Sequence, residues 1–126
     1  MVDQQRRKVL IAEDEPDIRE LVKLTLTFHG FDVVAAEDGM RAVELAQADV
    51  YDLILMDVLM PRMTGYEACR EIKKIDRFKH IPVVFLSAKG QESEVKEGLS
   101  AGAVAYMLKP FDADELIETL NAVLEE

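Results

Sequence analysis

The sequence of 126 residues contains one cysteine, no tryptophan and few basic residues. Cys69 alone excludes an internal disulfide, which favours a cytosolic environment. The chain has 15 Lys and Arg residues against 25 Asp and Glu residues, a net charge of −10. Such a surface repels phosphate backbones and anionic lipids. We therefore expect no direct contact with nucleic acid or membrane, and we expect cations or basic protein surfaces as partners.

Long hydrophobic runs are also absent. At the start, MVDQQRRKVLIAEDE, basic residues precede only a short apolar run, which is too short for a signal peptide or a membrane span. The hydrophobic content of 49% and the charged content of 32% are typical of a globular domain. No linker or low-complexity segment interrupts the chain. We expect residues 1–126 to form a single domain, with no effector domain attached.

Short apolar runs recur at regular spacing and alternate with segments of helical periodicity. The alternation predicts five β-α units, and therefore a parallel sheet with helices on both faces. The expected architecture is a three-layer α/β, doubly wound (βα)5 flavodoxin-like fold with a five-stranded parallel sheet in the order 2-1-3-4-5. The predicted strands cover 8–12, 31–36, 52–56, 81–86 and 104–108.

Helix-boundary signals agree with this pattern. Pro16 fits the first turn of a helix, and Gly30 fits its end. The segments 64–67 (TGYE) and 112–115 (DADE) have the spacing of capping boxes, in which the first side chain binds the amide three residues on.

Three acids follow two strands that should be neighbours in the sheet. Glu13 and Asp14 follow the first strand, and Asp57 follows the buried third strand. Parallel strands end at one edge of a sheet, so these carboxylates should converge there. They remain ionised together only with a cation, and hard oxygen ligands suit Mg²⁺, with Mn²⁺ as a possible substitute.

Two further polar residues end at the same edge. Ser87 follows the fourth strand and Lys109 follows the fifth. The ammonium compensates the charge of Asp57, whose carboxylate is placed to act as a nucleophile. A metal ion, a hydroxyl and an ammonium could each neutralise one oxygen of a phosphoryl group during its transfer to Asp57.

With these residues in chain order, the sequence resembles a two-component response regulator receiver domain of the stand-alone, chemotaxis-regulator type. The matching motifs are the pair Glu13-Asp14, the run DVLMPRMTGYE from Asp57, LSA around Ser87 and LKPF around Lys109. The resemblance covers essentially the whole chain. It implies phosphorelay signalling by a phosphoprotein that catalyses only its own phosphorylation and dephosphorylation, and is not a turnover enzyme.

The resemblance also implies the chemistry of the site. Asp57 would form an aspartyl phosphate from a phosphohistidine or a small donor such as acetyl phosphate. Mg²⁺ would be held by Asp14, Asp57 and the main-chain carbonyl of Leu59, with Glu13 acting through water. Many family members have aspartate in place of Glu13, so we expect a small difference in Mg²⁺ affinity.

A conformational switch is implied as well. The phosphoryl group would draw the Ser87 hydroxyl inward, and the ring of Tyr106 would follow. The face of the fourth predicted helix, the fifth strand and the fifth helix would then change for partner binding. The resemblance further implies a cis peptide bond between Lys109 and Pro110.

Two positions are expected to tune dephosphorylation. Leu59 and Lys89 lie two residues beyond Asp57 and Ser87 and should flank the path of the attacking water. Leu59 cannot orient a water molecule, and Lys89 could lie against the phosphoryl group. Our hypothesis is slow autodephosphorylation.

Partners are implied by the same resemblance. They are a sensor histidine kinase or a histidine phosphotransfer domain, and a downstream protein target. The fifth strand lacks charged pairs and the last helix lacks arginine, which favours a monomer. The chain could be a stand-alone regulator or part of a longer one, in the cytoplasm.

Three other functions share part of this pattern. A flavodoxin-type electron carrier needs a phosphate-binding loop after the first strand, where this chain has EDEPD. A haloacid-dehalogenase-like phosphatase needs a second aspartate at the position of Leu59. A receiver-like interaction module that works without phosphorylation remains the main alternative.

Overall fold

A computed structural model of the chain describes residues 6–87 and 105–125. The segment between the fourth and fifth strands, with its predicted helix and Lys89, lies outside the described residues. The last helix, α4, is therefore the fifth helix of the predicted pattern. The elements are β1 (Lys8–Ala12), α1 (Pro16–Phe28), β2 (Asp32–Ala36), α2 (Gly39–Ala48), β3 (Leu53–Asp57), α3 (Gly65–Lys73), a 3₁₀ turn (Asp76–Phe78), β4 (Val83–Ser87), β5 (Ala105–Leu108) and α4 (Ala113–Leu124).

All five strands are parallel and lie in the order β2-β1-β3-β4-β5, which confirms the predicted sheet. In this register Asp57 pairs with Leu86, and Ser87 pairs with Leu108. The predicted runs stop one residue short, at 56 and 86. Because β3 and β4 instead include Asp57 and Ser87, the ladders of both strands fix the backbone of these two residues.

Two apolar clusters cover the two faces of the sheet. In β1, Leu10 faces the cluster that contains α2 and α3 residues, whereas Val9 and Ile11 face the cluster that contains α1 and α4 residues. This alternation at period two makes a sheet that is buried on both faces. All five residues of β3 are buried, so Asp57 ends a strand that has no solvated face.

The predicted helix boundaries are present. Pro16 is the first residue of α1, and Gly30 follows its end with φ +91°, a left-handed conformation that glycine adopts without strain. The capping box at the start of α3 is complete, with Glu67 N donating to Thr64 Oγ1 at 3.1 Å and Thr64 N donating to Glu67 Oε1 at 2.9 Å. At α4, Glu115 N donates to the Asp112 carboxylate at 2.7 Å.

Cys69 lies in the core on α3 and is fully buried. Burial raises the pKa of its thiol to about 11, so it behaves as a small apolar side chain. In the described part of the chain, no helix has the length and apolar character needed to cross a bilayer.

Candidate active site

The three predicted acids lie together at the carboxyl edge of the sheet. Glu13, Asp14 and Asp57 each present a carboxylate oxygen, and these oxygens lie within 4.8 Å of one another. Glu13 is fully buried, Asp57 is 6% exposed and Asp14 is half-buried. The topology therefore brings residues from β3 and from the end of β1 into one acidic cluster.

Lys109 links two of these acids directly. Its Nζ lies 3.0 Å from Asp57 Oδ1 and 3.0 Å from Glu13 Oε1. Its backbone N–H donates to the carbonyl of Ser87 at 2.8 Å, which fixes the residue to the end of β4. The peptide bond between Lys109 and Pro110 is cis. The direct ion pair with Glu13 is a contact that the sequence did not indicate.

Burial dominates the electrostatics of the cluster. It raises the pKa of Asp57 and of Glu13, and the hydrogen bonds from Lys109 only partly oppose this. For Lys109 burial acts against the charged form, but the hydrogen bonds that its ammonium donates to Glu13 and Asp57 outweigh this effect and raise its pKa. Lys109 thus pairs with two of the three clustered carboxylates, and the acids of the cluster outnumber this ammonium.

This donor set fits a hard divalent cation. Carboxylate oxygens, few in number and one of them half-exposed, match the ligands and remaining water sites that Mg²⁺ prefers. Glu13, Asp14 and Asp57 are the side chains that would hold it. Leu59 follows Asp57 by two residues, and its side chain is 71% exposed. The roles of its carbonyl in metal binding and of its side chain in slow dephosphorylation stay predictions, as does the role of Lys89 outside the described residues.

Arg19, which sequence reasoning missed, holds the backbone of the acid pair. Its Nη1 donates to the carbonyl of Glu13 at 2.9 Å and lies 3.5 Å from the carbonyl of Asp14. The amide of Glu15 adds a bond to the Glu13 carboxylate at 3.1 Å. A basic residue five or six positions after two acids, on the first turns of a helix, is the only sequence signal for this contact.

Arg19→Gln is expected to weaken Mg²⁺ binding by about tenfold, because outer-shell residues orient metal ligands. A purely electrostatic effect would instead strengthen Mg²⁺ binding, because the substitution removes a positive charge near the site. Isothermal titration calorimetry on the metal-free protein measures the change. Lys23→Gln, which removes an exposed cation from the same helix, is the control and should leave the affinity unchanged. Tighter Mg²⁺ binding by Arg19→Gln would contradict the positioning role.

The loop between β3 and α3 is anchored at several points. Gly65 N donates to the carbonyl of Val58 at 2.8 Å. Arg62 has a left-handed backbone with φ +69°, and its guanidinium pairs with the buried Asp38. Asp38 also caps α2, accepting from Arg41 N at 2.8 Å. The chain immediately after Asp57 is therefore tied to the start of α2.

The predicted switch residues lie on neighbouring strands. Ser87 ends β4 and is 2% exposed, and Tyr106 is half-buried on β5. Tyr106 pairs in register with Phe85, and the two ring centroids are 5.7 Å apart. The Tyr106 hydroxyl lies 2.7 Å from the hydroxyl of Tyr66 on α3. Their roles in a conformational switch stay predictions.

Comparison with known proteins shows the family of the chain. A sequence model described as the response regulator receiver domain matches residues 9–121. The chain is 36% identical over 117 residues to the DNA-binding dual master transcriptional regulator RpaA of Synechocystis, covering 93% of this chain and 48% of that protein. It is 39% identical over 109 residues to the uncharacterized transcriptional regulatory protein YrkP of Bacillus subtilis, covering 86% and 46%.

The chain spans about half the length of the curated relatives it matches. Since RpaA is described as DNA-binding, the expectation that this chain makes no direct contact with nucleic acid stays a prediction. The expected monomer and the expected lack of an effector domain also stay predictions.

Solved structures match more completely. The chemotaxis response regulator CheY4 of Vibrio cholerae has a TM-score of 0.92 and 34% identity, covering 94% of this chain and 99% of that chain. The receiver domain of the sensor histidine kinase PA1611 from Pseudomonas aeruginosa has a TM-score of 0.90 and 31% identity, covering 97% and 100%. In that structure a magnesium ion is coordinated in the active site cleft.

Proposed function

Because the chain belongs to the response regulator receiver domain family and so takes part in phosphorelay signalling, we propose that Asp57 is its phosphoryl acceptor. The observation that carries the proposal is the position of the Asp57 carboxylate. It ends a buried strand, 3.0 Å from the ammonium of Lys109 and beside two further acids. Among the described residues, no other cluster of three or more acids, histidines or cysteines has the geometry of a metal site.

In the proposed reaction an oxygen of Asp57 attacks phosphorus. The bond from phosphorus to the donor nitrogen or oxygen breaks, and an aspartyl phosphate forms. Lys109 stays charged and neutralises the oxygens of the transferred group, while the Ser87 hydroxyl offers a hydrogen-bond donor. Bound Mg²⁺ would supply further neutralisation of this charge. The chain acts on itself, accepting and losing one phosphoryl group, and does not turn over external substrates.

The proposed donors are a sensor histidine kinase or a histidine phosphotransfer domain, in the cytoplasm. The proposed readout is a downstream protein that binds a face that includes β5 and α4; the predicted fourth helix of that face lies outside the described residues. Two features support this face: Tyr106 lies between core and solvent, and Leu108 on the same strand is 49% exposed. A change at Ser87 on the adjacent strand would reach this surface through the ladder of β4 and β5.

Intact-protein mass spectrometry after incubation with acetyl phosphate tests the function. The wild type is expected to gain one phosphoryl group with Mg²⁺ and none with EDTA, and Asp57→Asn is expected to gain none. Asp52→Asn is the matched control: Asp52 precedes the same strand and binds Lys8 N at 2.7 Å. This control should be phosphorylated normally. No addition to the folded wild type, with either acetyl phosphate or a histidine phosphotransfer donor, would favour an interaction module that works without phosphorylation.

A further inference from the structure

Three aromatic rings connect α3 to β5 through the middle of β4. Tyr66 is the second residue of α3, and its ring meets Phe85 edge to face at a centroid distance of 5.0 Å. Phe85 in turn contacts the ring of Tyr106, with centroids 5.7 Å apart. The hydroxyls of Tyr66 and Tyr106 close the triangle at 2.7 Å. Residue spacing does not indicate this cluster, because its members lie 19 to 40 positions apart.

The two tyrosines differ in their surroundings. Tyr66 is 9% exposed and belongs to the core cluster, so its hydroxyl needs a partner inside the protein. Tyr106 is half-buried and lies on the edge strand of the sheet. A tyrosine at such a border can place its ring inward or outward, and a hydrogen bond to a buried partner favours the inward rotamer.

We propose that Tyr66 is a positioning residue that holds the ring of Tyr106 inward against Phe85 and thereby sets the shape of the β5 surface. The positioning of the ring by this hydroxyl pair does not depend on phosphorylation. Its consequence for signalling rests on the proposed function, since a partner would then bind a surface whose shape depends on the hydroxyl pair.

Tyr66 is also linked to the phosphoacceptor by the chain itself. It follows Gly65, whose amide binds the carbonyl of Val58 at 2.8 Å and whose backbone packs on the carbonyl of Asp57. A shift of Asp57 therefore moves the start of α3 and, with it, the hydroxyl that Tyr106 binds. On the other side of the cluster, Phe85 lies two residues before Ser87 on β4. Both routes from the acidic edge end on the ring of Tyr106.

Nuclear Overhauser spectra of Tyr66→Phe test the proposal. This change keeps the ring and removes only the hydroxyl. We expect the cross-peaks between the Phe85 and Tyr106 rings to be lost, while those between the Tyr51 and Phe78 rings, stacked at 6.3 Å, persist. Tyr106→Phe removes the other hydroxyl of the pair and should also lose the cross-peaks to the Phe85 ring. If Tyr66→Phe does not fold, Tyr106→Phe takes its place in the test.

Tyr51→Phe is the matched control. It removes a hydroxyl from another buried tyrosine of the same core cluster, whose oxygen lies 3.5 Å from the carbonyl of Leu45. It should leave the cross-peaks between Phe85 and Tyr106 unchanged. Unchanged cross-peaks in Tyr66→Phe, or their loss in Tyr51→Phe, would overturn the proposal.

Acetyl phosphate with Mg²⁺ separates this inference from the proposed function. In Tyr66→Phe, phosphorylation is expected to restore the cross-peaks, because in the predicted switch it would draw Tyr106 inward through Ser87. Mass spectrometry on the same samples reports whether Asp57 carries the group. A phosphorylated variant without restored cross-peaks would overturn the signalling consequence. A wild type that is never phosphorylated would contradict the proposed function. The cross-peaks of the unphosphorylated variants would still test whether the hydroxyl pair holds the Tyr106 ring inward.

Discussion

Asp57→Asn is expected to raise the Tm of the metal-free protein by about 4–8 °C, a stabilisation of about 1–2 kcal/mol, although it removes the phosphoryl acceptor. The Asp57 carboxylate is 6% exposed, and its oxygens lie close to those of Glu13 and Asp14. Burial raises its pKa, which means that the folded state disfavours the charge. Asparagine has the same shape, and its oxygen can still accept from Lys109, so the substitution removes repulsion without opening a cavity.

Mg²⁺ should reduce or reverse this difference. A cation that binds only the folded wild type stabilises it in proportion to the logarithm of its concentration, whereas Asp57→Asn has lost one ligand. Thermal unfolding followed by circular dichroism, with EDTA and then with increasing Mg²⁺, measures both effects. Glu118→Gln, which neutralises an exposed acid on α4, is the control and should change little. A lower Tm for Asp57→Asn in EDTA would show that the pairing with Lys109 outweighs burial and repulsion.

The same electrostatics fixes the sign of the pH dependence. The folded pKa of Asp57 lies above its ordinary value of 3.8, so between the two values the folded state binds more protons than the unfolded state. This contribution to stability is present below pH 3.8 and is lost as the pH rises through the folded pKa. Asp57→Asn has no carboxyl group to titrate at this position, so it should not lose this stability as the pH rises. Its advantage over the metal-free wild type should therefore grow as the pH rises through this window.

Much of this site could be predicted because it depends on topology. Apolar runs fix the strands, parallel strands end at one edge, and Asp57, Ser87 and Lys109 each follow a run. The order of the strands then places the acids of the first and third strands side by side. None of these steps requires knowledge of a side-chain rotamer.

What could not be predicted depends on side chains that meet across elements. The ion pair between Glu13 and Lys109 depends on the rotamer that buries the long Glu13 side chain. The hydroxyl pair of Tyr66 and Tyr106 depends on how α3 packs beside β5. Arg62 is a further case, because nothing in its residue type indicates a left-handed backbone. Periodicity reports which face a residue occupies and carries no information about its partner there.

Gly65→Ala is expected to destabilise the protein by at least about 3 kcal/mol, although alanine is the better helix former. Gly65 is the first residue of α3. A Cβ added there would overlap the carbonyl oxygen of Asp57, and it would lie 3.1 Å from the carbonyl carbon of Asp57 and 3.2 Å from the Cα of Val58. These are backbone atoms held by the ladder between β3 and β4, so no side chain can rotate away to relieve the overlap.

The overlap must instead move α3 or the end of β3, and either shift displaces the Asp57 carboxylate. Phosphorylation by acetyl phosphate, measured below the lowered Tm, should then slow by as much as about 100-fold, because transfer depends on positioning at the level of about 1 Å. Gly30→Ala separates overlap from backbone strain: a Cβ at Gly30 meets nothing within 4 Å, but the φ of +91° disfavours it. That control should cost only about 1–2 kcal/mol and leave phosphorylation unchanged. Equal losses of stability in the two variants would mean that close packing of α3 on Asp57 is not what fixes the phosphoacceptor.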